Sequence, residues 1–150
     1  MQSLKIKVLA YYRQQVQDKE DAFRDMIDAL TEGAANDAKG SAGDKHETAL
    51  SMMHLEQEKL NHKLKEILEQ KSVLDKIEAD TVSSKIILGS LVKANSMYLF
   101  LSTALPKIVV EGTTVFALSP QSPLGSKLLG SERGNEVEVN NTKYIIEEFV

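Results

Sequence analysis

The chain has 150 residues, of which 42 % are hydrophobic, with 18 basic and 22 acidic side chains and a formal charge of −4. That length fits one domain or two small ones, and the charge balance excludes a dedicated DNA-binding or membrane-surface protein, whose footprint is strongly basic. With no cysteine, a disulfide framework, a thiolate metal site and a thiol nucleophile (including the condensing enzymes that form a cysteine thioester) are excluded as well.

Residues 1–15 have no long apolar signal core, and nowhere do the roughly 18 consecutive apolar residues of a bilayer span occur, so a cytoplasmic location is expected. Residues 1–32 and 44–80 lack both glycine and proline, while Gly33, Gly40 and Gly43 fall between those runs. Within the runs, Leu9, Val16, Phe23 and Leu30 recur every seven residues, as do Met53, Leu60, Ile67 and Leu74. Seven-residue spacing returns a side chain to one helix face, which is the mark of a coiled-coil seam. Paired in reverse order, the two rows have residue numbers that add to 83, placing the reversal between Ser41 and Ala42. The second row is poorer: Tyr12, Met26 and Leu64 fit it, and Lys19 and Lys71 interrupt it. The prediction is an antiparallel coiled-coil hairpin over residues 1–80, with its tip near 33–47 and arms of roughly 45 Å. So thin an object exposes most of its surface and suits a probe better than a pocket.

Past residue 85 the texture shifts to Ile, Val, Leu and Thr, with all three prolines and five glycines. Strands are predicted at 86–94, 97–102, 107–110, 114–118, 136–139 and 143–149, with hairpin turns at Glu111-Gly112 and Asn140-Asn141. Ser122 reads as the N-cap of a short helix, Pro123 as its first turn and Gly130 as its end. The expected fold is α+β, the hairpin being followed over residues 81–150 by an antiparallel sheet with one short helix, and the boundary lying near 81–85.

Residues 119–139, SPQSPLGSKLLGSERGNEVEV, resemble the C-terminal signature of the GreA/GreB family of transcript-cleavage factors, of the form S-P-(I/L)-G-x-x-L-(L/I)-G-x-x-x-G-(D/N)-x-V-x-V. The strand at Tyr144-Ile-Ile-Glu-Glu continues the likeness, and Gly43-Asp44-Lys45-His46-Glu47-Thr48 resembles the family's G-D-x-x-E-N element, departing from it at Lys45 and Thr48. The resemblance implies an FKBP-like C-terminal domain and bacterial RNA polymerase as partner. It also implies an acidic tip that enters the polymerase's secondary channel to stimulate cleavage of backtracked RNA. Asp44 and Glu47 would be the tip residues and would share a Mg²⁺ with the polymerase, which remains the enzyme. The nascent RNA 3′ end would be met only indirectly, with no membrane and no sequence-specific DNA contact, and Ser122, Pro123, Leu124 and Gly125 would meet the partner.

Residues three apart share a helix face, so Asp44 and Glu47 can present two carboxylates together. The same Asp-x-x-Glu spacing at a helix start is also a capping box, and both readings stay open. A non-cleaving channel regulator, an FKBP-like peptidyl-prolyl isomerase or chaperone, and a plain coiled-coil adaptor are the alternatives. His46, His54 and His62 are spaced by eight residues and do not make the i, i+4 pair of a zinc site. Lys39, Lys45, Lys59, Lys63 and Lys65 read either as a basic patch or as a solvated face. Asp18, Glu20, Asp21, Asp25 and Asp28 read as an exposed face, and Met52 and Met53 as core or near-core. Gly125 and Gly130 are expected to serve turns and close packing.

Overall fold

The computed structural model describes the backbone of residues 1–40 and 44–150, and their side chains apart from those of 34–46. Helices α1 (Gln2–Gly40) and α2 (Asp44–Asp75) are followed by strands β1 (Leu91–Ala94), β2 (Met97–Leu101), β3 (Leu105–Val110) and β4 (Thr113–Leu118). Helix α3 (Pro123–Leu128) and strands β5 (Glu136–Val139) and β6 (Thr142–Phe149) complete an α+β chain. No described helix is long and apolar enough to cross a membrane. Two compact units result, one of Met1–Arg13 with Ser72–Val150 and one of Gln14–Lys71.

In the unit Gln14–Lys71, contacts run in opposite senses along the two helices. Lys71 Nζ donates to Glu20 Oε1 at 2.8 Å, and further along Gln57 Nε2 donates to Thr31 Oγ1 at 3.0 Å. Val16, Leu64 and Ile67 are buried, whereas Phe23, Leu30, Met53 and Leu60 are half-buried. Met26 is 49 % exposed, and the neighbouring Ile27 takes the inward place instead. A straight helix drifts about 20° per heptad, enough to hand the seam from one residue to the next. Glu20 is a second correction: the acidic face is exposed at Asp18, Asp21, Asp25 and Asp28, but Glu20 is 7 % exposed. Hydrogen bonds from Lys71 and then Arg24, whose Nε lies 2.8 Å from Oε2, hold its carboxyl below the usual range despite burial.

The other unit is built on a six-stranded sheet of order β3-β4-β2-β1-β6-β5. Its hairpins turn through two residues of positive φ: Asn95 and Ser96 (50° and 62°), Glu111 and Gly112 (50° and 78°), Asn140 and Asn141 (51° and 65°). Such turns match the right-handed strand twist. The sheet is mixed and so differs from the antiparallel one expected, because β2 and β4 run parallel, with Leu99 beside Phe116. The short link from Leu101 to Leu105 carries the chain past the end of β4, so β3 takes the edge. The predicted strand at 86–94 begins only at Leu91. Ile86 bonds instead to the segment after α3 (its N–H to Ser131 O, its carbonyl from Gly130 N), and Gly89 turns the chain at φ +92°.

Side chains alternate across a strand, and here both faces are covered. On one face Val92, Ala94, Leu99, Leu101 and Ile146 bury against Ile86 and Leu128. On the other, Phe100 stacks on Tyr12 of α1, with centroids 6.0 Å apart and planes at 2°. Tyr12 is fully buried and its hydroxyl donates to Pro106 O at 2.8 Å; burial, then the neighbouring Tyr11, pushes its pKa up to about 12. Arg13 Nη2 donates to Leu74 O at 3.0 Å and Ile77 O at 2.6 Å, fastening the chain where α2 ends. Lys5, 2 % exposed, is held below the usual lysine value by burial, with Asp80 pulling the other way.

Candidate functional site

Two places carry the residues singled out in the sequence. The first is the start of α2. The helix begins at Asp44, so Asp44 and Glu47 occupy its first turn, just past residues 41–43. Glu47 is exposed. The side chain of Asp44 lies outside the described residues, as do those of Lys39, Lys45 and His46, so the choice between cap and free carboxylate is open at that residue. Among the described residues no group of three or more His, Cys, Asp or Glu side chains is gathered to hold a metal ion. Two carboxylates offer hard oxygen donors of the kind Mg²⁺ takes, yet fewer than its six ligands.

Behind that turn the surface is mixed. His54, Lys59, Lys63 and Lys65 are exposed; Lys63 Nζ lies 3.3 Å from Glu66 and His62 Nε2 lies 3.5 Å from the same carboxylate. Met52, expected near the core, is 67 % exposed, and Leu55 is 61 % exposed, while Met53 alone turns inward. Adjacent residues on a helix point about 100° apart, so two successive methionines cannot both face one seam.

The second place is a cleft of about 380 Å³ in the sheet-bearing unit. Met97, Leu99 and Phe116 form its floor, and Ser122, Pro123 and Leu124 form one wall. Three of the four residues expected to meet a partner thus line it. Gly125 is buried behind them, where a Cβ would collide with Ser119 O and sit 2.8 Å from Ser122 Oγ. The wall is set by local chemistry. Ser122 Oγ donates to Ser119 O at 2.6 Å and accepts from Gly125 N at 3.0 Å, while Pro123 opens α3 with the fixed φ that a first turn requires. The hydroxyl is therefore spent on the fold, and Pro123 and Leu124 offer apolar surface.

The floor escaped sequence reasoning. It exists because β4 lies beside β2, which sets Phe116 next to Leu99; only the alternation along Thr113–Leu118 hinted that Phe116, 38 % exposed, faces away from buried Val115. The chain matches no protein-family model, and no curated protein matches it.

Proposed function

We propose that this protein is a transcript-cleavage factor of the GreA/GreB type. It binds bacterial RNA polymerase and carries an acidic tip through the secondary channel toward the catalytic centre. In this reading the helix pair is a coiled-coil hairpin and the sheet-bearing unit is an FKBP-like handle, both working in the cytoplasm. The observation that carries the reading is the placement of two carboxylate residues, Asp44 and Glu47, in the first turn after the chain reverses. Support comes also from the signature at 119–139, whose Ser122 caps α3 and, with Pro123 and Leu124, lines the apolar cleft.

Asp44 would hold a Mg²⁺ jointly with the polymerase, and Glu47 would orient the attacking water. Neutralising charge at the scissile phosphate is what such an ion supplies when bound. The polymerase performs the hydrolysis; this chain positions and does not itself turn over substrate. Pro123 and Leu124 would seat an apolar side chain of the polymerase against the cleft.

The test is a backtracked elongation complex with labelled RNA. Added protein should shorten the transcript from its 3′ end, and Asp44→Ala or Glu47→Ala should slow that by about 100-fold, the scale of losing one group that stabilises the transition state. Wild-type protein that binds polymerase but leaves the RNA uncut would make it a non-cleaving channel regulator instead. An isomerase is the weaker reading from another class. The cleft gives it a concave apolar site, but Phe116 is the one aromatic residue that lines it, and a proline-isomerisation assay decides the matter.

A further inference from the structure

The seam between α1 and α2 repeats every seven residues on both sides, so sliding one helix past the other by a heptad again sets apolar rows face to face. Such a slide is about 10.5 Å. Packing beyond Val16 and Leu64 is thin: Phe23, Ile27, Leu30, Met53 and Leu60 are all only half-buried. Apolar contact alone therefore leaves the register weakly determined.

Polar contacts break the repeat, and within the unit Gln14–Lys71 the one at Glu20 is buried, whereas that of Thr31 with Gln57 is exposed. Glu20 is 7 % exposed and accepts at 2.8 Å from both Lys71 Nζ and Arg24 Nε. Slid by seven residues one way, Glu20 meets Leu64 and Lys71 meets Arg13. Slid the other way, Lys71 meets Ile27 and Glu20 runs past Asp75, where α2 ends. Each alternative sets a charge against an apolar side chain and leaves Glu20 without Lys71. An unpaired buried charge costs far more than a paired one gains.

We infer that Glu20, with Lys71 and Arg24, is the register lock of the helix pair and a positioning residue for Asp44 and Glu47. It fixes which residues lie at the reversal. A heptad slip would move the reversal by half that amount along the chain and carry the two carboxylates out of the first turn of α2. The part of this inference that concerns Asp44 and Glu47 rests on the tip reading above; the lock itself does not.

Because the chain has no cysteine, introduced thiols are the only ones present. Thr31→Cys with Gln57→Cys marks the observed register, while Thr31→Cys with Leu50→Cys or with Leu64→Cys marks the two slips. A short bis-thiol cross-linker should join only the 31/57 pair in the otherwise native chain. In a Glu20→Leu/Lys71→Leu background, the 31/50 or 31/64 product should rise from background to a share comparable with 31/57, with helical circular dichroism retained. The charge-exchanged Glu20→Lys/Arg24→Glu/Lys71→Glu background should return to 31/57 alone, which a loss of packing would not do. Cross-linking confined to 31/57 in the leucine background overturns the lock; so does a folded charge-exchanged protein that gives slipped products, which also covers a leucine variant that fails to fold. No polymerase enters this readout, so failure of the cleavage reading would appear separately, as uncut RNA with the native chain.

Discussion

Tyr12 is the most exacting place to test the packing of α1 on the sheet. Its ring is fully buried in parallel contact with Phe100, and its hydroxyl donates to the carbonyl of Pro106 at 2.8 Å. Tyr12→Phe keeps the ring and deletes the donor, leaving a partly buried carbonyl without that partner. Such a loss costs about 1–2 kcal/mol, and in a chain of this size each kcal/mol lowers the melting temperature by about 2–4 °C, so a fall of about 2–8 °C is expected. Tyr12→Ala also removes the ring and should cost about 3–5 kcal/mol. All four tyrosines, Tyr11, Tyr12, Tyr98 and Tyr144, belong to the unit of Met1–Arg13 with Ser72–Val150, and there is no tryptophan. The tyrosine band of the near-ultraviolet dichroism therefore follows that unit during melting, apart from the shorter-wavelength phenylalanine signal to which Phe23 contributes. An alkaline titration adds an independent check. The folded pKa, about 12, lies above the ordinary 10.0, so the folded state holds the proton longer. The resulting stabilisation is complete below pH 10 and is lost as pH climbs toward 12. Tyr12→Phe should abolish the last limb of tyrosinate absorbance and flatten that loss. A melting change under about 1 °C, no more than a neutral surface substitution gives, would refute the argument.

Gly125→Ala should drive a methyl into Ser119 O and the Ser122 hydroxyl, costing about 3 kcal/mol and loosening the cleft wall; thermal melting with a hydrophobic dye reads both effects. Ser122→Ala removes the cap and the bond to Ser119 O without introducing a clash and should cost about 1–2 kcal/mol, so the ordering of the two variants is itself a check. Lys5 binds its proton less readily when folded, because burial disfavours the charged amine. The unfolded chain then holds more protons between the folded value and the ordinary 10.5, and this residue's contribution makes stability rise with pH across that window. Lys5→Met should raise the melting temperature at neutral pH and remove that rise, measured by urea unfolding in a pH series.

Local features were legible in the sequence because local chemistry decides them. Glu111-Gly112 and Asn140-Asn141 both turn through positive φ, where glycine and asparagine meet little steric cost. Asn95-Ser96 does the same, with serine rather than glycine or asparagine at the second position. Ser122 caps α3 as its position before proline suggested. What eluded the sequence was decided at a distance. The parallel pairing of β2 with β4 depends on which edge the second hairpin takes, and no residue in either strand encodes it. The floor of the cleft inherits that uncertainty. Glu20 belonged by type with Asp18 and Asp21, and only the approach of Lys71 from α2 explains its burial. At the candidate tip, the two heptad rows pointed to a reversal between Ser41 and Ala42, a long-range property made visible by a repeat, whereas Asp44 and Glu47 were singled out by the family resemblance.

That repeat also explains an apparent mismatch. The heptad rows pair residues whose numbers add to 83, and the helix ends, Gly40 and Asp44, add to 84. The observed side-chain contacts add to more: 88 for Thr31 with Gln57 and 91 for Glu20 with Lys71. Side chains on a helix lean toward its N-terminus, so in an antiparallel pair one partner leans down as the other leans up. Two side chains meeting midway must therefore start from Cα atoms whose numbers add to more than those of residues at one level. The excess over 84 is four for the shorter pair and seven for the longer, or about two and three and a half residues of lean each. At about 1.5 Å per residue that is about 3 and 5 Å, in the order expected if the lysine–glutamate pair reaches farther than the threonine–glutamine pair. An offset of this size is what side-chain reach supplies. The same lean lets a charge that locks this helix pair sit about two turns away from the residue paired with it by number, as Lys71 does from Leu64, the residue that adds to 84 with Glu20.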